Sequence, residues 1–443
     1  MLKSNIAWMK KNVPSDLKVW KGMIQDIDWS QVAAKTKLSL QRDKDRITAE
    51  FKEFAASAKI DWLMNGDRHL GYLYKKDAIA FARREWKGLK SVGYDFVGWL
   101  KIWGGMLNMV MKDPMSIMLA VFEYHWFASY LATPAVVDRS VFGRRGKLLQ
   151  ADFDMWVAIT HWAEDLIANL IMADAKIGGN QKINKRIIMF DEMTMAQMMA
   201  GFPNLLGIPY QMIPVFMVSE MDQLTLIPYI DAIESYGLPS DTCPLPTAEC
   251  GCAVKDEYPM CGQGFIASSM PCDGSVMATS FQDRRFSKFM PSYPLCMPVR
   301  YDDEDTTEMA AADMKDCIHW VEGLTGETWN WDTYFATMEK MNECTRLEME
   351  KWEINKTHYP QLVGSSFELF RKWNYEMDGG LFPEGLKTQR KICKTMMETY
   401  EKKLPAYVGG YEKYRALIWS CPAHFYANFS NWLANCWGIN ILV

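Results

Sequence analysis

Between Lys185 and Asp305 short apolar runs alternate with amphipathic stretches, and this alternation constrains the fold more than any other feature of the chain. Ile187-Ile188-Met189-Phe190 precedes Asp191-Glu192 and a helical stretch from Met193 to Phe202. An apolar run around Gln211 to Val218 follows, then a helix from about Leu224 to Tyr236. A run from Phe265 to Met270, a helix from about Ser275 to Phe289 and a run from Leu295 to Tyr301 complete the series. Strands alternating with helices predict an α/β fold whose parallel sheet carries helices on both faces. Ligands of such sheets gather at the carboxyl ends of the strands. Glu192, just past the first run, and Glu220, just past the second, fall on that edge and are candidates for proton transfer. Each also suits the start of a helix, where a carboxylate meets the positive end of the dipole.

The flanking regions are helical. From residue 1 to 184 the stretches Asp45 to Ala58, Lys75 to Ser91, Met115 to Ala132 and Ala151 to Ala173 place apolar positions three and four apart. Gly104-Gly105, Pro114 and Gly143-Arg144-Arg145-Gly146 are expected to break them. Beyond the acidic run Asp302-Asp303-Glu304-Asp305, read as a solvated loop or helix start, come Thr306 to Gly323, Asn330 to Lys356 and Leu386 to Lys403. Tyr414 to Ser420 and Gly438 to Val443 look like strands around a helix near Phe429 to Cys436. The expected organisation is a helical domain over 1–184, a sheet-bearing lobe over 185–305, a helical segment over 306–410, and the incomplete start of a second sheet lobe over 411–443.

At 443 residues the chain exceeds what one hydrophobic core usually organises, and with 49% hydrophobic and 23% charged residues it is globular in composition. A net charge of -5 leaves no basic excess to condense on phosphate backbones, so nucleic acid is not an expected partner. The uncharged stretch from Met193 to Ser219 has the length to span a bilayer, but three prolines and two glycines interrupt it, and no membrane span is expected. Eleven cysteines, an odd number scattered through a large chain, together with a start that lacks an apolar leader, point to a reducing, cytoplasmic setting. The 32 methionines and 18 tryptophans are read as core and interface filling. No Walker-type phosphate loop is present, so any ATP would be used by a partner.

The cysteines cluster from Cys243 through Cys250, Cys252 and Cys261 to Cys272, without the Cys-x-x-Cys spacing of a zinc ribbon or bacterial ferredoxin. Cys272 follows the run Phe265 to Met270 and precedes Asp273-Gly274-Ser275 at the opening of a helix. There the dipole and free N–H groups stabilise a thiolate, which suits a metal ligand or a nucleophile. A buried Cys beside an ordinary N-cap is the plain alternative. Cys243 is expected on a strand-end loop, with Pro244 and Pro246 holding an extended, irregular backbone around it. The six histidines all lie outside the cysteine-rich stretch, which gives a Cys-His hydrolase no local support.

The block from Asp241 to Phe286, with SDTCPLP and MPCDGS, resembles the 2-hydroxyacyl-CoA dehydratase and benzoyl-CoA reductase family. The resemblance extends through GLTGETWNWDTYFATMEKMNE and YRALIWSCPAHFYANFSNWLANCWGINILV and covers roughly Arg186 to Val443. It implies Rossmann-like lobes holding a 4Fe-4S cluster beside an acyl-CoA thioester. It also implies a homologous second subunit and a separate ATP-hydrolysing iron-sulfur activator that injects one low-potential electron for ketyl-radical chemistry or ring reduction. Carried over by motif, Cys243 matches the first ligand cysteine and Cys272 the second.

The family's third ligand has no match in this sequence. Cys421, in Ser420-Cys421-Pro422, is a substitute because it also follows an expected strand, and Cys250, Cys252 and Cys261 have similar standing. Otherwise another chain supplies the rest of the lobe, the sequence is a fragment, or the cluster has been lost. Ser275 and Arg284 are candidates to meet a thioester or a CoA phosphate. Beside the dehydratase or reductase reading stand two others: a cluster-dependent reductase of a small non-CoA substrate, and a non-catalytic scaffold whose Met-rich helical N-terminus binds a partner.

Overall fold

The structure is a computed structural model that describes residues 89–132, 146–190, 196–210, 212–216, 218, 225–268, 273–286, 288–296, 298, 303–361, 383–403, 413–417, 433 and 439–441, with positions 30, 37, 41, 44, 45 and 48. The chain divides into two compact units, Met1–Ala58 and Lys59–Val443, and every element named below belongs to the second. The described residues are mostly helical around a four-stranded parallel sheet, an α/β arrangement.

The sheet is built from β1 (Ile187–Phe190), β2 (Leu206–Pro209), β3 (Gly264–Ser268) and β4 (Ser292–Leu295) in the order β2-β1-β3-β4. Residues Ile187 to Phe190 pair in parallel with Leu206 to Pro209 on one side, and Ile188 to Phe190 pair with Gly264 to Ile266 on the other. All of β1 and β3 is buried, as expected for a parallel sheet covered on both faces. The period-two alternation of a strand then sorts the side chains. Ile187, Met189 and Phe265 enter the large core, whereas Ile188, Phe190 and Ile266 join Cys317, Val321 and Trp329 on the opposite face. Gly264 is a glycine because a Cβ there would press on Trp320 and Leu324, the side chains that cover this face. Pro209 is tolerated because β2 is an edge strand: Leu206 N donates to Arg186 O, just before β1, and Tyr210 N to Phe190 O at its end, so the odd positions between them face the open edge.

The first face is covered by helices that precede and follow the sheet in sequence. They are α1 (Leu89–Lys112), α2 (Pro114–Glu123), α3 (Gly146–Ala173), α5 (Ile227–Glu234) and α6 (Pro244–Val254), after the short α4 (Gln181–Asn184). Pro114 opens α2 with Asp113 as its N-cap, the carboxylate accepting from Ser116 N at 3.1 Å. One apolar core runs from Ile102 and Trp156 through Ile187 and Met189 to Tyr229 and Ala248, so α1 and α3 share their buried face with the sheet. The second face receives α8 (Glu304–Thr325), after α7 (Asp273–Phe286). Two long helices, α9 (Trp331–Asn355) and α10 (Pro383–Glu401), pack on one another, and α10 lies along α3. A separate two-stranded parallel sheet joins β5 (Tyr414–Ala416) to β6 (Ile439–Ile441).

Helices α5 and α6 approach closely enough that a Cβ on Gly251 would overlap the backbone carbonyl of Tyr229. Main-chain atoms cannot swing aside as a side chain can. Gly251→Ala is therefore expected to cost about 2–3 kcal/mol despite alanine's better helix propensity, read as a lower denaturation midpoint at unchanged m-value.

Four local expectations are corrected by the structure. The strand expected from Leu295 to Tyr301 falls at Ser292–Leu295, where it pairs with β3. The run at Gln211 to Val218 is not a strand: Met212–Phe216 form a π-helical turn and the strand falls earlier, at Leu206–Pro209. The cause is Pro214, which cannot donate in a ladder, whereas the edge position makes Pro209 harmless. Gly104-Gly105 does not break the N-terminal helices but sits inside α1, where the turn-by-turn hydrogen bonding continues through both. The backbone after Cys243 is not extended, because Pro244 occupies the first turn of α6, the one helical position where a missing N–H costs nothing. The helices expected over Asp45 to Ala58, Lys75 to Ser91 and Phe429 to Cys436 lie wholly or largely outside the described residues.

Candidate functional site at the carboxyl edge of the sheet

Strand order β2-β1-β3-β4 places a switch point between β1 and β3, since the chain goes from β1 to one neighbour and returns to the other side. The crevice outside the carboxyl ends of those two strands is where open parallel sheets bind ligands. β1 ends at Phe190, two positions before Glu192 in sequence, and β3 ends at Ser268, four positions before Cys272. Asp273, the residue after Cys272, opens α7. Glu192, Glu220, Cys272 and Cys421 themselves lie outside the described residues. The π-helical turn removes the premise that Glu220 follows a strand.

Cys243 is described. It is the N-cap of α6, with φ -51° and ψ 125°, and its side chain makes no capping hydrogen bond. Its carbonyl accepts from Thr247 N at 3.2 Å and from Thr247 Oγ1 at 2.8 Å, which leaves the thiol as the unused group at the start of the helix. The thiol is exposed and is not in a disulfide. Helices α6 and α7 pack together, and Cys250 and Ala278, each about two turns in from its helix start, share one small apolar cluster. Cys243 therefore stands at the start of α6, and the neighbouring helix α7 begins at Asp273, the residue that follows Cys272 in sequence.

The remaining cysteines separate by burial. Among the described ones only Cys243 and Cys296 are exposed. Cys250 is fully buried, and desolvation first, then the Glu249 carboxylate, pushes its thiol up to about 12. Burial also pushes Cys261 well above the ordinary thiol range, and Cys317 and Cys393 up to about 12. Thiols held neutral in this way are poor ligands. Cys250 and Cys261, considered above as extra ligands, are core residues, and Cys252 is fully buried with them. Cys296, which sequence reasoning passed over, directly follows β4 on the same edge of the sheet, its N–H donating to Asp313 Oδ2 at 2.6 Å. The apolar run Leu295 to Tyr301 places Cys296 inside an expected strand, whereas the strand falls at Ser292–Leu295 and leaves Cys296 just past its end. Arg284 is exposed on α7.

Among the described residues no group of three or more His, Cys, Asp or Glu side chains is arranged to hold a metal ion, and no helix is long and apolar enough to cross a membrane. Beside the exposed Cys296 after β4, what the described part offers a metal is an accessible thiol at the start of α6. That donor fits a soft, thiolate-bound metal centre completed by residues beyond those described.

No curated protein matches the chain. A family model does: the one described as 2-hydroxyglutaryl-CoA dehydratase, D-component, matches residues 223–443, a span that contains Cys243, Cys272, α5 to α10 and both β5 and β6. Through that half of its length the chain belongs to the 2-hydroxyacyl-CoA dehydratase-like family.

Proposed function

We propose that the chain is the iron-sulfur subunit of a 2-hydroxyacyl-CoA dehydratase or benzoyl-CoA reductase-like enzyme, with Cys243 and Cys272 as cluster ligands and Cys421 as the third. The observation that carries this reading is the family match over residues 223–443, which encloses both cysteines. The exposed, uncommitted thiol of Cys243 at a helix start supports it, as does a parallel sheet with a switch point beside β3, the strand that ends four positions before Cys272 in sequence. In this reading the two sheets belong to two Rossmann-like lobes, and the acyl-CoA thioester lies at the carboxyl edge between them. A cluster held there supplies one low-potential electron to the thioester for ketyl-radical chemistry. The chain's own part is to present thiolates, exclude water and move a proton, for which Glu192, two positions after β1 in sequence, is the proposed group. The partners are a homologous second subunit and an ATP-hydrolysing activator, and the setting is cytoplasmic.

A scaffold role is the second reading, favoured by a face of α1 and α2 on which Leu100, Trp103, Leu107, Met111, Met118 and Phe122 are all more than half exposed. Anaerobic purification with the partner subunits, followed by iron and sulfide analysis and EPR, separates the two. Iron and sulfide in near-equal amounts, with an EPR spectrum that changes when acyl-CoA and activator are added, is the expected result. Protein free of iron under strict anoxia would move the assignment to the scaffold. Iron without any response to acyl-CoA would move it to a reductase of a small non-CoA substrate.

A further inference from the structure

Far in sequence from the candidate ligand cysteines, α1, α3 and the start of α10 line a half-open cavity of about 430 Å³, within the size range of small-molecule sites. Glu164 of α3 lines it and is 8% exposed, and Glu164 Oε1 makes no hydrogen bond. Burying a carboxyl group without its bonds costs several kcal/mol, so an apolar residue would serve helix packing better at this position. The surroundings are built around the carboxyl. A Cβ on Gly105 would overlap Glu164 Oε2, whereas a Cβ on Gly104, also on the cavity wall, would meet nothing within 4 Å. Two adjacent glycines inside a helix each cost about 1 kcal/mol relative to alanine. One makes room for the carboxyl, and the other keeps the cavity open.

Most of the charged groups around Glu164 are paired with one another. On α1, the Lys112 ammonium pairs with Asp165 of α3, and Lys101 lines the wall with its carbonyl accepting from His161 Nε2 at 3.1 Å. On α10, Glu384 stands 3.5 Å from His161 Nδ1. Asp165 thus has a cationic neighbour and Glu384 an imidazole, while Glu164 has no ion pair among the described residues. Burial pushes its carboxyl up to about 8 against the weaker pull of Lys112. Lys101 and Lys112 both line the wall, but among the described residues neither forms an ion pair with the Glu164 carboxyl. A ligand carrying a positive charge and N–H donors would supply that partner, whereas an anion would face three carboxyl groups beside the two lysines.

We propose that this cavity binds a small organic ammonium ion, held by the Glu164 carboxylate. Below about pH 8 binding displaces the Glu164 proton to solvent, so affinity rises about tenfold per pH unit up to that value and levels off above it. The site is independent of the cysteine region, and its test needs neither iron nor acyl-CoA. Titration calorimetry of the full chain with n-butylammonium, and with 1-butanol as the uncharged comparison, reads it directly. Saturable millimolar binding of butylammonium at pH 8, at least tenfold tighter than butanol, is expected. Glu164→Gln should lose at least tenfold in affinity and the dependence on pH. Gly104→Leu, which fills open space, should abolish binding while melting within a few degrees of the parent. Equal binding of butanol, unchanged binding by Glu164→Gln, or no saturable binding to the parent in the millimolar range would each overturn the assignment.

Discussion

Replacing Cys272 by serine is expected to remove most of the cluster EPR signal and most of the bound iron from anaerobically prepared protein, and Cys243→Ser should do the same. Serine keeps the shape of cysteine but offers a hydroxyl that does not ionise near neutral pH, so an iron site loses a ligand with little disturbance of the fold. Cys317→Ser and Cys393→Ser are the internal controls. Both thiols are buried and held near 12, Cys317 in the apolar layer under the sheet and Cys393 against Glu350 at 3.1 Å. Neither is available to iron, and both variants should keep the full signal. If iron content is equal in all four variants, the ligands have been wrongly assigned even if the family reading stands.

The largest stability loss is expected at Asp174, which joins the end of α3 to the turn before β3. Its carboxylate is fully buried and accepts from Tyr124 Oη, from Met260 N at 2.7 Å and from Lys176 N at 3.2 Å. Asp174→Ala strands three donors, two of them buried in the main core, and should cost about 3–5 kcal/mol in denaturant unfolding. Asp174→Asn keeps one carbonyl oxygen for the two N–H groups, and the Tyr124 hydroxyl can turn to accept from the new amide. It should therefore lose less than half as much.

The same residue sets a sign for pH. Burial raises the Asp174 carboxyl above its ordinary 3.8 despite these hydrogen bonds. The folded state then holds the proton more tightly than the unfolded chain, and the stabilisation from that proton is fully present below 3.8 and is lost as pH rises through the folded value. Asp174→Asn should flatten that part of the stability profile.

The two central strands of the sheet, β1 and β3, were legible because their signal is local, whereas β2 and β4 were displaced by several residues. Ile187 to Phe190 is an uninterrupted apolar run bounded by charges, and it forms β1 over those same residues. The helices after Asp303 were legible for the same reason, since Asp303 and Asn330 cap α8 and α9 with side-chain bonds to Thr306 N and Thr333 N. The run at Gln211 misled because apolarity without periodicity does not separate a strand from a tight helical turn, and Pro214 was the clue that weighed against a ladder. At the candidate site, the motif around Cys243 and Cys272 was legible as a family resemblance, while the helical backbone at Cys243 was not. Pro244 reads equally as a turn residue or as the first residue of a helix until α6 has something to pack against.

The sequence by itself determined the alternation of strand and helix, the capped ends of α8 and α9 and the family of the C-terminal half, all of which depend on neighbours a few residues apart or on an ordered motif. Only the tertiary structure decided which thiols meet solvent, that Gly105 makes room for Glu164, and that Asp174 is held by Tyr124 and Met260. Those pairings join residues 50 to 86 positions apart in the case of Asp174. No local propensity encodes them, because the desolvation that gives a buried carboxyl or thiol its character exists only once distant segments have closed around it.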